Sequence, residues 1–197
     1  MEKPTIPERN FDIDRNFLKL NGYYIVKNFL NPQEVQRFSK AFREIVADLK
    51  KPIFLHGGMI QYIGHSEVQW QLRRICADIF KKLWDCNDLV TSFDGFCFMD
   101  GNRRVKKTNG DSFLHRDQHL ESNEVVSYQG LINLSTNDTY EKGGFVCTPG
   151  GHLIDFTKLL QARPHADQWY LFNDDEKKIL YEKVSPMFVP LGPVCSF

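Results

Sequence analysis

The sequence has no excess of either charge: 25 Lys and Arg stand against 25 Asp and Glu. A neutral balance gives no overall pull toward nucleic acid or an anionic membrane surface, so neither is expected as a partner. Long apolar runs are missing too, and nothing approaches the roughly 20 residues that span a bilayer. The first ten residues are polar and carry prolines, unlike a secretory signal. Cysteines number five, an odd count, and none is spaced Cys-x-x-Cys. That excludes the usual disulfide framework and the usual zinc sites, and makes a reducing, cytoplasmic compartment the expectation. No repeat or low-complexity tract points to a solenoid or a disordered chain. No Gly-x-Ser-x-Gly occurs, and no cysteine is evidently paired with a histidine, so nucleophilic catalysis has little support.

What is present fits one domain of 197 residues, long enough for a sizeable core. Residues 11–88 read as mainly helical support and residues 89–197 as strands with inserted helices. Gly22–Val26 reads as a strand. A helix follows, with Asn31 as N-cap, Pro32 in the first turn and Glu34 at the capping-box position. Val35, Phe38, Phe42, Ile45 and Leu49 mark its apolar face, and Pro52 ends it. A second helix begins near Ser66, with Gln69 at the capping-box position and Val68, Leu72, Ile75, Ile79 and Leu83 as its stripe. Both stripes read as core faces. Beyond Leu89 short strands are expected at Gly95–Met99, Phe113–Leu114, Val125–Leu134 and Phe145–Cys147, separated by Asp-, Asn- and Gly-rich turns. Helical pieces follow near Ile154–Leu160 and Asp174–Lys183, the second starting with Asn173 and Glu176. Met187–Val189 begins one more strand. Short strands at this spacing predict a sandwich or jelly roll. The one strong basic run, Arg103, Arg104, Lys106 and Lys107, reads as a solvated loop, with a contact for an anionic substrate as the rival.

Among the six histidines, His115-Arg116-Asp117 is the arrangement with chemical meaning. On a strand, side chains two apart share a face, so an imidazole and a carboxylate at this spacing can grip one ion from adjacent corners. A non-haem iron(II) site needs two such histidines and one carboxylate, with open positions opposite for a co-substrate and oxygen. His-x-Asp alone is a short pattern, and a surface His–Asp pair is the plain alternative. His119 has the parity of His115, but a turn near Gln118 would take it away, leaving it beside the site or in solvent.

Four segments, in order, resemble the phytanoyl-CoA dioxygenase-like family. They are Asn21–Leu30 with its following helix, Phe113-Leu114-His115-Arg116-Asp117-Gln118, Ser127–Leu134, and Gly143-Gly144-Phe145-Val146-Cys147-Thr148-Pro149-Gly150-Gly151-His152. The resemblance implies a double-stranded β-helix, a cupin-like jelly roll with flanking helices. It implies Fe(II) as cofactor, held by His115 and Asp117, and 2-oxoglutarate as co-substrate. Gln129 falls where the family has a residue lining the co-substrate pocket; a satisfied strand glutamine is its plain reading. His152 falls on a histidine that is not a metal ligand, and a structural role at the turn is expected.

The resemblance stops short of the family's later strand, which carries the third iron ligand and, soon after, a basic residue for 2-oxoglutarate. Neither is found, so the jelly roll is expected to be incomplete at its C-terminal strands. Val189–Val194 fits the lead into that strand. His165 completes a triad only if the loop Arg163–Asp167 folds over the barrel. Two functions are therefore carried forward. One is an Fe(II)/2-oxoglutarate dioxygenase hydroxylating a small organic or lipid-derived substrate. The other is a truncated or catalytically inactive relative serving as a binding or structural protein. A cupin-like isomerase or sugar-binding jelly roll would need several histidines on neighbouring strands, a pattern the sequence does not show.

Overall fold

The computed structural model describes residues 9–49, 59–60, 65–92, 95–98, 114–122, 127–139, 144–160, 169–190, 192 and 195–196. His56, His165, Pro52 and the basic run at 103–107 lie outside these residues. The chain opens with a helix the sequence reading did not anticipate, α1 (Arg15–Asn21). Asp14 caps it by accepting from the Phe17 N–H, and Gly22 closes it in a left-handed conformation, φ 78°. Gly22 is thus a helix stop and not part of a strand, and β1 is confined to Ile25–Val26.

Helix α2 (Pro32–Asp48) starts where its signals place it: the Asn31 side chain accepts from the Glu34 N–H, and the Glu34 carboxylate accepts from the Asn31 N–H. Helix α3 (Glu67–Trp84) starts after Ser66, whose hydroxyl accepts from the Gln69 N–H and donates to the Gln69 amide oxygen. Gln69 so meets the cap through the Ser66 side chain. Between the two helices lies β2 (Met59–Ile60). The anticipated stripe of α3 is buried in full: Val68, Leu72, Ile75, Ile79 and Leu83, joined by Cys76. On α2, Phe38 and Phe42 are buried, while Val35 and Ile45 pack half-buried beside them. Burying one such side chain stabilises by about 1.5–3 kcal/mol, which is how two otherwise polar helices are held together.

The strands are short. After β3 (Phe96–Cys97) come β4 (His115–Arg116), β5 (Leu131–Ile132) and β6 (Phe145–Cys147). A 3-10 turn (Gly151–Leu153), α4 (Phe156–Leu159), β7 (Tyr170–Leu171), α5 (Asp174–Tyr181), β8 (Met187–Val189) and β9 (Cys195–Ser196) complete the order. Every described pair is antiparallel. One sheet runs β1-β9-β5, and the others are the pairs β2-β3, β4-β7 and β6-β8. β9, which follows the stretch read as a lead into a further strand, lies between β1 and β5.

Two hydrophobic clusters organise these pieces. The first joins α1, α2, α3 and β1, with Tyr128, Ile132 and Leu134 packed against it. The second is smaller: Leu120, Phe156, Leu160, Tyr170, Phe172 and Leu180, with Leu114 at its edge. Leu114 and Tyr128 thus bring the segments around β4 and β5 to different clusters.

Candidate functional site

The scaffold under His115 begins at α5. Asn173 caps that helix by accepting from the Asp175 and Glu176 N–H groups, and Glu176 returns a carboxylate oxygen to the Asn173 N–H at 2.8 Å. The other oxygen of Glu176, a buried residue, accepts from the Tyr170 hydroxyl. Tyr170 is 1% exposed, so β7 is pinned from below. It then pairs with β4, Tyr170 opposite Arg116 and Leu171 opposite His115, and the Phe172 N–H extends the ladder to the Leu114 carbonyl at 3.1 Å. The alternation Trp169 out, Tyr170 in, Leu171 out, Phe172 in follows from strand geometry.

Strand β4 ends at Arg116, so Asp117 reaches the face of His115 through a bend and not by continued alternation. Arg116 makes that bend. Its guanidinium lies over Phe156, 5.1 Å from the ring centre, and donates to the Leu120 carbonyl, the Gln118 amide oxygen and the Ser122 carbonyl. Burial lowers its pKa from the ordinary arginine value, and these acceptors compensate the buried charge. With Leu120 fully buried beneath, the loop is closed on itself. His119 points along that loop: its Nδ1 accepts from the Glu121 N–H at 3.3 Å and lies 3.8 Å from the Glu121 carboxylate.

His115, Asp117 and Gln129 come together. His115 Nε2 stands 3.4 Å from Asp117 Oδ1, with the side chains 30% and 39% exposed. Asp117 Oδ2 accepts from Gln129 Nε2 at 2.7 Å. One carboxylate oxygen is thereby held by the amide, and the other faces the imidazole. Two donors about 2.1 Å from one ion at near-right angles stand about 3 Å apart, so this pair is within a few tenths of an ångström of a chelating separation. Nitrogen and carboxylate oxygen are also a donor set suited to iron(II). The residues present fit one side of such a site. Among the described residues no group of three or more His, Cys, Asp or Glu gathers around one point.

Trp169, which sequence reasoning passed over, lies with its ring centre 5.6 Å from that of His115, tilted by 40°, and is 43% exposed. In the run Trp-Tyr-Leu-Phe every residue is apolar or aromatic, so the two-residue alternation that exposes Trp169 leaves no polar mark. His152 lies elsewhere. Its Nε2 meets the Lys19 carbonyl at 2.9 Å, and the Gly150 N–H donates to the Asn21 carbonyl, so His152 ties the turn after β6 to the end of α1. Burial pushes the Cys147 thiol up to about 11, which keeps it protonated and a poor nucleophile at neutral pH.

No helix among the described residues is long and apolar enough to cross a membrane. No protein-family model matches the chain, and no solved structure does. Among curated proteins the chain is similar to Ava biosynthesis cluster protein O of Aspergillus versicolor, 24% identical over 206 residues that cover 90% of this chain. The chain spans 66% of that relative's length.

Proposed function

We propose that this chain is a double-stranded-β-helix oxygenase of the phytanoyl-CoA dioxygenase-like type, using Fe(II) and 2-oxoglutarate to hydroxylate a small organic or lipid-derived molecule. The observation that carries the reading is the His115 imidazole and Asp117 carboxylate meeting at 3.4 Å, with the outer carboxylate oxygen already bound by Gln129. A surface ion pair needs no such third partner, whereas ligating carboxylates are regularly held by a neighbouring donor. The relative's name places it in a biosynthesis cluster, which suits action on a small molecule.

In this reading His115 Nε2 and Asp117 Oδ1 would hold the iron from adjacent corners. When bound, the metal supplies the redox chemistry that couples 2-oxoglutarate decarboxylation to substrate hydroxylation. The chain's own part is to hold the two donors in register, through the β4-β7 ladder and the Arg116 loop. The half-exposed Trp169 flanks His115 with an apolar wall. A reducing cytoplasm would keep the iron ferrous. A second reading is a scaffold that keeps the fold and binds without catalysing.

An anaerobic titration separates the two. Fe(II) followed by 2-oxoglutarate should develop the visible charge-transfer absorption of a chelate in the native chain and none in His115→Ala. Folded protein without that absorption leaves the non-catalytic scaffold as the function.

A further inference from the structure

We infer that Gln129 is a positioning residue for the metal site: it orients Asp117 and ties the site to the first hydrophobic cluster. The inference rests on the reading of His115 and Asp117 as metal ligands and deepens it.

The bond itself is short and directional, Gln129 Nε2 to Asp117 Oδ2 at 2.7 Å across twelve residues of chain. A carboxylate at the end of a bend can turn about its side-chain torsions. Donation to one oxygen removes that freedom and leaves the other oxygen toward His115 Nε2. Gln129 is itself placed from both sides. Tyr128 before it packs its ring against Trp84 at 4.8 Å and belongs with the first cluster. Leu131 after it enters β5 and pairs with Ser196 in the sheet that also holds β1. Asp117 and His115, by contrast, follow Leu114 at the edge of the second cluster. The amide therefore bridges two separately packed bodies of side chains at the point where the ligands meet. A donor in that place sets ligand geometry without touching metal, and partners of this kind typically contribute about 10–100-fold to metal affinity.

The role differs from a direct contact with 2-oxoglutarate, and the difference is measurable. Mn(II) affinity of the full chain is measured without 2-oxoglutarate by electron paramagnetic resonance of the free ion, for the native protein, Gln129→Ala and Gln129→Met. Methionine keeps length and bulk but has no N–H. Both variants should bind Mn(II) about 10–100-fold more weakly, while their metal-free melting temperatures match the native one. Native affinity in both variants overturns the inference, and weakened 2-oxoglutarate binding alone would return Gln129 to the co-substrate pocket. A fall in metal-free stability that tracks the affinity loss overturns it as well, since Gln129 would then be a structural residue. Native protein that binds no Mn(II) sinks the metal reading itself, and with it the role of Gln129.

Discussion

At the residue scale, Gly22 and His152 fit tightly against each other. A β-carbon built on Gly22 would come within 2.4 Å of His152 Nδ1, and its φ of 78° already disfavours any side chain. Gly22→Ala should therefore destabilise the fold by about 2 kcal/mol or more, combining left-handed strain with displacement of the ring. Urea unfolding checks this, and pairing the change with His152→Ala separates the two causes. If the clash dominates, the double variant loses less than the sum of the single losses. The candidate site was partly legible at this scale. His115 and Asp117 stood out because imidazole and carboxylate two apart carry chemistry by type. Gln129 was marked only by the resemblance, and its bond to Asp117 is a contact between distant segments that spacing cannot reveal. His119 shares parity with His115 but not its surroundings, because Arg116 turns the chain immediately after β4.

At the element scale, helix ends were the most readable features. Asn31, Ser66 and Asn173 all cap as their side-chain chemistry dictates, because a cap is a local bargain between one oxygen and the N–H groups two or three residues on. α1 was missed although its stop signal was present: the aromatic run Tyr23-Tyr24 drew Gly22 into an imagined strand. The positions of β1, β3, β5, β6 and β8 were legible, but β2, β7 and β9 were not anticipated and strand lengths were not readable, since pairing of two or three residues is decided by distant partners. The cap of α2 carries a pH prediction. Burial acts to raise the Glu34 carboxyl, but bonds from Arg9 and from the Asn31 N–H, with the charges of Arg9 and Arg37, outweigh it and leave the pKa below its ordinary value. A lowered folded pKa means that the stability Glu34 contributes is fully present above its unfolded value, about 4.3, and is lost as pH falls through the folded value. The unfolding free-energy difference between native protein and Glu34→Gln should thus shrink between about pH 6 and pH 3. A difference that stays constant would show that the carboxylate's charge has no part in it.

At the scale of the whole molecule, the Gln129–Asp117 bond joins segments that follow residues packed on different hydrophobic clusters, and a metal bound only by the folded chain should stabilise it. Mn(II) at about 100 times its dissociation constant should stabilise the native chain by about 2.7 kcal/mol. For a chain of this size that raises the melting temperature by roughly 5–10 °C. At the same Mn(II) concentration Gln129→Ala should gain less, and His115→Ala little or nothing. Thermal scans at several metal concentrations test the slope. The topology has a consequence of another kind. β1 at Ile25–Val26 finds its described partner in β9 at Cys195–Ser196, and β5 also waits for that strand. Synthesis proceeds at about 5–20 residues per second, so β1 spends roughly ten to thirty seconds outside the ribosome with its hydrogen-bonding edge open. That edge is a template for any other extended chain. During translation, the early chain therefore depends on the rapidly forming helices α1, α2 and α3 to cover its apolar surface, and on crowded polysomes its chief hazard is a neighbouring nascent copy.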